Sequence, residues 1–274
     1  SHSHALRAQS TPSGSSGTGR RGYYKSGTPD IMLATIASWP IVPRNSTVTD
    51  PTPTETRLPP KTALSGIRVL DLGRVLAAPF AAQVLADLGA EVIKIERPDG
   101  GDDTRAWKPP VSAGNSAYFG AVNRNKRSVT LDFGSEQGRE VFYNLVSKSD
   151  VVIQNFRPGV TERLGIDYET VKPYRPDIIY CSISGFGQEG PLSRRAAYDY
   201  IVQAYSGLMS LTGEVDGDPV RCAGAVADYG SGMWSVIGIL YALMEHQRTG
   251  KGQHIDLSML DCTLTYVNHL ASQF

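Results

Sequence analysis

The stretch "IRVLDLGRVLAAPFAAQVLADLGAEVIKIE", residues 67–96, sets two apolar runs on either side of a helically spaced segment. "IRVLDLG" (67–73) has the near-continuous apolar character of a strand buried on both faces. "PFAAQVLADLGA" (79–90) has helical spacing, with Pro79 in the first turn, where its missing N–H is harmless, and Gly89 at the end. "EVIKIE" (91–96) reads as the next strand. Strand, helix and strand in so short a span make a βαβ unit, and its two strands pair in parallel.

The alternation continues downstream. "RSVTLDF" (127–133) reads as a strand, 135–148 as a helix opened by Ser135, and "DVVIQNF" (150–156) as a strand. "DIIYCSISGFG" (177–187) is another strand, running into a glycine-rich turn. Beyond Gly187 the pattern predicts helices over 197–210, 229–249 and 260–272, with a short strand, "GQHIDLSM" (252–259), between the last two. The expected fold class is α/β: a doubly wound parallel sheet followed by helices.

Residues 1–63 differ in composition. Eight of the chain's 17 prolines stand before position 61, among many Ser, Thr and Gly and without helical or strand period. Over residues 1–60, six basic residues (Arg7, Arg20, Arg21, Lys25, Arg44, Arg57) face three acidic ones (Asp30, Asp50, Glu55). The segment is expected to be a disordered leader, either an organellar transit peptide or an ordinary low-complexity leader. Residues 64–274 form the ordered domain. Phe274 ends a helical pattern without a cap or polar tail, which points to a C-terminally incomplete domain.

The chain of 274 residues balances 27 basic against 27 acidic residues. That balance offers no concentrated basic face for nucleic acid or a membrane surface. The longest apolar run, Val226 to Leu243, is interrupted by Asp, Ser and Gly and is short of a membrane span. Cys181, Cys222 and Cys262 are too widely separated for a zinc site and too few for a disulfide framework, so they are expected to be buried thiols. The histidines form no cluster, and no metal is expected.

A doubly wound sheet first brings a dinucleotide to mind, but the turn "LGRVLAAPFAA" (72–82) has neither G-x-G-x-x-G nor a Walker lysine. Its small residues (Ala77, Ala78, Pro79) still let a ligand approach the backbone. Basic residues lie near strand ends: Arg74, Arg97, Arg105, Lys126, Arg127 and Arg163. Gathered at the carboxyl edge of the sheet they would suit a phosphorylated ligand; singly they are solvated surface charges. In "AVADYGSGMW" (225–234), Asp228 stands among small and apolar residues with no basic residue nearer than Arg221. On its own it reads as the N-cap of the following helix, bonding the amides of Gly230 or Ser231.

Six collinear blocks carry a resemblance. They are "GIRVLDLGRVLAAPFAAQVLADLGAEVIKIERPDGGDDTR" (66–105), "NRNKRSVTLD" (123–132), "VVIQNFRPGVTERLGID" (151–167), "YCSISGFGQEGP" (180–191), "AYDY" (197–200), and "ADYGSG" (227–232) with "TGKGQHIDLSMLD" (249–261). From Leu64 to Phe274 the chain resembles the class III coenzyme A transferases. "GDDTR", "VNRNK", "IIYCSI", "GDPVR" and "QRTGKG" draw it toward their mitochondrial succinyl-CoA:dicarboxylate branch.

The resemblance implies the Rossmann-like large domain of that family, an acyl-CoA donor (succinyl-CoA), a small carboxylic or dicarboxylic acceptor, and no cofactor beyond the CoA thioester itself. It also implies a second, smaller domain absent from this chain, an interlocked homodimer and a mitochondrial matrix location, with cytoplasm or peroxisome as alternatives. By position it makes Asp228 the catalytic carboxylate. Val75, Leu76, Ala77, Arg97, Leu131, Asn155, Phe156 and Arg163 match CoA-contacting positions, and Tyr198 an active-site tyrosine. Gly230 and Gly232 are expected to leave room for the thioester. Gly134 and Ala196 stand where the formyl-CoA branch has lysines, and Leu76 where it has glutamine, which argues against formyl or oxalate specificity. Two alternatives remain. An α-methylacyl-CoA racemase type would pair the aspartate with a histidine where this chain has Tyr198, and a phenol of ordinary pKa near 10 is a poor base at neutral pH. The other is a non-catalytic CoA-binding fragment. Asp199, beside Tyr198, reads as a helix-start carboxylate.

Overall fold

The computed structural model describes residues 62–108 and 116–273; the predicted leader, apart from its last two residues, and Phe274 lie outside them. The strands are β1 (Arg68–Asp71), β2 (Glu91–Glu96), β3 (Lys126–Thr130), β4 (Val151–Gln154), β5 (Ile179–Ser184) and β6 (Gln253–Ser258). All pair in parallel, in the order β3-β2-β1-β4-β5-β6. Every strand read from the sequence is present. The helices are α1 (Ala77–Asp87), α2 (Ala117–Asn123), α3 (Glu136–Val146), α4 (Val160–Leu164), α5 (Tyr168–Val171), α6 (Asp199–Tyr205), α7 (Val226–Thr249) and α8 (Met259–Ala271).

The sheet separates two apolar layers. On one face Val69, Val92, Ile153, Cys181 and Ile183 meet α1, α7 and α8 through Ala81, Leu85, Ala227, Ile239 and Cys262. On the other, Leu70, Ile95, Val152 and Tyr180 meet Phe142 and Val146 of α3 and Val171 of α5. The alternating side chains of β1 (Val69 to one layer, Leu70 to the other) show why buried parallel strands read as unbroken apolar runs. Cys181 and Cys262 are buried as expected, whereas Cys222 is half-buried.

The departures have local causes. Pro79 falls at the third helical position of α1 rather than the first, still within the turn whose N–H groups lack partners. Ser135 does cap α3, accepting the N–H of Gly138 at 3.0 Å. The single helix expected over 197–210 is broken by Gly207, whose φ of 78° ends α6 and begins a 3-10 turn, Leu208–Leu211. Helices α4 and α5 are single turns, too short for an apolar period to show. Helix α7 starts three residues before its expected first residue, which places Asp228 inside its first turn.

Strand order reverses between β1 and β4: β1 connects through α1 outward to β2, and β4 leads the other way to β5. The carboxyl ends of these two strands therefore open a crevice where neither crossover covers the sheet edge.

Candidate active site

The turn after β1 is held at successive main-chain groups. Gly73 N–H donates to Asp71 Oδ1 at 2.8 Å, and Gly73 O accepts from Lys94 Nζ at 2.7 Å. Asn155, just past β4, accepts from the N–H of Arg74 and donates to its carbonyl, both at 2.8 Å. The N–H of Val75 points at both oxygens of Asp102, at 3.4 and 3.3 Å. Val75 itself has φ of 66°, a left-handed conformation that a β-branched residue rarely adopts.

Buried charges support this turn from below. Lys94 lies 3.1 Å from Asp102 and 3.8 Å from Asp71, and Lys126 lies 2.7 Å from Asp71, with all four side chains almost fully buried. Burial raises the Asp71 carboxyl, but the ammonium groups of Lys126 and Lys94 more than reverse that and hold it below its usual range. Glu96, at the end of β2, takes a bidentate pair from Arg105 at 2.7 and 2.6 Å.

A cleft of about 590 Å³ opens over this crevice. It gathers Val75, Asn155, Phe156, Arg163, Tyr198 and Asp228 from the sequence-derived set, together with Arg74, Arg157 and Met259. A smaller cleft of about 190 Å³ lies at the ends of β2 and β3 and takes in Arg97 and Leu131. Arg74, Phe156 and Leu164 line both, so the two adjoin. Leu76 and Ala77 line neither; both are buried at the start of α1. Asn155 spends its amide on the Arg74 backbone and acts as a support for the turn.

The six basic residues divide. Arg74, Arg97 and Arg163 line the clefts, the first two sharing the Asp103 carboxylate. Arg105 is taken by Glu96 and Lys126 by Asp71. Arg127 pairs with Glu91 at the amino edge of the sheet, away from the crevice, so it and Lys126 do not join a phosphate site.

Asp228 is not a helix cap. The N-cap of α7 is Ala225, and the carboxylate that receives the helix amides is Asp199, the first residue of α6. Asp199 Oδ2 accepts the N–H of Ala227 at 2.7 Å and of Asp228 at 3.2 Å, while Gln203 Nε2 holds its other oxygen. The expectation of a helix-start carboxylate is met in position, but the main-chain amides it receives belong to a different helix. The Asp228 carboxylate accepts no hydrogen bond among the described residues and faces the cleft. Burial, and then the negative charge of Asp199, push it up to about 7.

Gly230 and Gly232 do not make room for a ligand. A side chain at Gly230 would collide with the Tyr266 hydroxyl, and one at Gly232 would stand 2.7 Å from Phe80 Cδ1 and 2.9 Å from Ala77 O. Both glycines bring α7 close to its neighbours α8 and α1. Sequence reasoning also missed Tyr118, at the start of α2. Burial, and next the negative charge of Asp228, raise its hydroxyl pKa well above normal. Tyr198 stands 61% exposed at the mouth of the cleft, stacked at 6.2 Å on Tyr200.

The geometry is that of a free, half-buried carboxylate in an elongated groove with cations along it. A family model described as CoA-transferase family III matches residues 64–273. The succinate–glutarate CoA-transferase of Agrobacterium fabrum is 51% identical over 207 residues, 73% of this chain and 52% of that protein. The acetyl-CoA:oxalate CoA-transferase of Acetobacter aceti is 49% identical over 211 residues, 77% of this chain and 54% of its own length. The crystal structure of a CAIB/BAIF family protein from Brucella suis superimposes with a TM-score of 0.74 at 48% identity, over 78% of this chain and 58% of that one. The chain spans about half the length of the curated relatives it matches.

Proposed function

Because the chain belongs to CoA-transferase family III, we propose that it moves coenzyme A from an acyl-CoA to a small carboxylic acid, with Asp228 as the nucleophile. The observation that carries this reading is the Asp228 carboxylate, unbonded on its cleft side while its own N–H is fixed by Asp199. In the ionised form an Asp228 oxygen attacks the thioester carbonyl, and the tetrahedral intermediate expels CoA thiolate to leave a mixed anhydride. The thiolate returns to the aspartyl carbonyl, releasing the donor acid and leaving an aspartyl-CoA thioester. The acceptor carboxylate and CoA then repeat both steps in reverse. Each exchange joins activated acyl groups of similar energy, so the chain's task is to position the reactants and stabilise the oxyanion, with no cofactor beyond the CoA thioester.

We take succinyl-CoA as the donor and a dicarboxylate as the acceptor. The support is the set of segments drawing the chain toward that branch, together with Arg157 and Arg163 in the cleft, which form no ion pair among the described residues. The relatives named above accept glutarate in one case and oxalate in the other, so similarity alone does not choose between acceptors. Among the described residues no histidine lines the cleft, which disfavours a racemase that shuttles an α-proton.

The proposed assembly is an interlocked homodimer in the mitochondrial matrix. Support for association comes from the outward face of α7, where Tyr229, Met233, Trp234, Tyr241 and Met244 are all exposed. The matrix location rests on the Arg- and Ser-rich, acid-poor leader.

The test is a coupled assay of the full chain against a panel of acyl-CoA donors and carboxylic acids, with Asp228→Ala alongside. Transfer is expected in the wild type and lost in the variant, and hydroxylamine should trap the acyl group at Asp228. Retained transfer in Asp228→Ala sinks the mechanism. A wild-type chain that binds CoA and transfers nothing would make it a non-catalytic binding fragment.

A further inference from the structure

Among the described residues, two buried polar atoms without a hydrogen-bond partner belong to residues lining the Asp228 cleft: Arg74 Nε and Ser184 Oγ. Arg74 lies at the end shared with the smaller cleft. Ser184 closes β5 and is only 6% exposed. Its neighbour on the same face of the strand, Ser182, is fully used: Ser182 Oγ accepts from Gln154 Nε2 at 2.9 Å and meets His254 Nε2 at 2.9 Å. Two residues further on, an equally buried hydroxyl has no partner. A serine there carries a desolvation cost that alanine or valine would avoid, unless something enters the cleft to pair with it.

The surroundings of Ser184 say which part of a ligand it meets. Gly185, the next residue, lacks a Cβ exactly where Ala197 packs against it, and its carbonyl accepts the N–H of Leu260 at 3.0 Å. Ser184 is thus flanked by the segments that lead into Tyr198 and Met259, which line the Asp228 end of the cleft. Along β5 the alternation turns Ile183 toward the layer of α7, so Ser184 faces the opposite layer, and both residues line the same cleft as Asp228. A carboxylate attacking a thioester carbon from the α7 side drives the carbonyl oxygen away from itself.

Resting on the function proposed above, we infer that Ser184 Oγ–H donates a hydrogen bond to the acyl-thioester carbonyl oxygen and to the oxyanion formed there. As Asp228 oxygen bonds to the carbonyl carbon, the C=O π pair moves to oxygen and is held by the Ser184 hydroxyl. Collapse returns that pair to the carbonyl and breaks the C–S bond, with both electrons leaving on CoA thiolate. Ser184 keeps its proton throughout. A donor aimed at developing charge in a dry site acts more strongly in the transition state than on the bound thioester.

The test separates this assignment from the reaction itself. Asp228→Asn holds acyl-CoA without consuming it, and infrared difference spectroscopy with a 13C=O-labelled thioester reads the carbonyl directly. The bound stretch is expected to move to lower wavenumber than in solution, and to return most of the way in Asp228→Asn/Ser184→Ala. In the Asp228-intact protein, Ser184→Ala is expected to lower kcat on the order of 10- to 100-fold with the Kd for free CoA unchanged. Its thermal stability should hold, because an unpaired hydroxyl is all that is removed. An unmoved carbonyl band, or a loss confined to CoA affinity, overturns the Ser184 assignment alone. No bound band in Asp228→Asn overturns the function reading and this assignment together.

Discussion

Asp199 Oδ2 accepts the main-chain N–H groups of Ala227 and Asp228, at 2.7 and 3.2 Å, so one carboxylate fixes the peptide that carries another. The arrangement does two things at once. It supplies α7 with the cap that Ala225 cannot, and it places a negative charge near the Asp228 side chain, favouring its protonated form.

Replacing Asp199 separates those effects. Asp199→Asn keeps an oxygen that accepts the two amides but removes the charge, so Asp228 ionises at lower pH. The pH–rate profile should shift acid-ward by up to about one unit, while the new amide nitrogen facing Gln203 Nε2 forfeits that bond and costs about 1 kcal/mol. Asp199→Ala removes the cap as well and should cost about 1–2 kcal/mol in thermal unfolding. A pH profile identical to wild type in Asp199→Asn would refute the electrostatic half of this account.

Asp228 must be ionised to attack, and its pKa stands at about 7. Activity should therefore rise as pH passes through about 7 and level off above it. Stability runs the other way. A carboxyl whose folded-state pKa is raised contributes stability below its unfolded value near 3.8, and that contribution is lost as pH rises through about 7. Asp228→Asn removes the ionisation, so its advantage in Tm over wild type should grow between pH 4 and pH 8. The gain should reach on the order of 2 kcal/mol, allowing for solvent at a half-buried group. An advantage that is flat with pH would show the carboxylate is not perturbed.

Much of the architecture was legible because buried parallel strands must be apolar on both faces, as in "IRVLD" and "DVVIQ". The start of α7 was not, since its cap lies on Asp199, 28 residues away from Ala227, and local spacing carries no trace of it. Helices α4 and α5 are shorter than any period that would reveal them. Lys94, in "EVIKIE", is a buried ion holding Gly73, and nothing in the strand pattern marks it. Asp228 was visible as a carboxylate among apolar residues, but only the resemblance made it catalytic. Ser184 gave no signal at all, because a serine in an apolar strand is silent until its missing partner is seen.

Gly232 tests the packing role assigned to the glycines of α7. Gly232→Ala places a methyl within 3 Å of the Ala77 carbonyl, and backbone atoms cannot swing aside as the Phe80 ring can. Unfolding should show a loss of about 1–3 kcal/mol, despite the better helix propensity of alanine. Activity per folded molecule should be nearly preserved. A stable Gly232→Ala with weakened acyl-CoA binding would restore the reading in which this glycine makes room for substrate.

Val75 and Lys94 divide strain from support. The left-handed Val75 costs about 1–2 kcal/mol in the folded state. Val75→Gly relieves that strain but frees the unfolded chain, which costs about 0.5–1 kcal/mol, so net stability should change by no more than about 1 kcal/mol. CoA binding should nevertheless weaken by about tenfold, because the turn lining the cleft is no longer confined to one conformation. Lys94→Met acts differently. It leaves Asp102 buried without its cation and frees the Gly73 carbonyl, a loss of about 3–5 kcal/mol in unfolding experiments. Measuring Tm and CoA affinity together distinguishes the two, since Val75→Gly lowers affinity at constant Tm whereas Lys94→Met lowers both. Wild-type affinity in Val75→Gly would mean that the strained turn is a by-product of the buried ion network and no part of the binding surface.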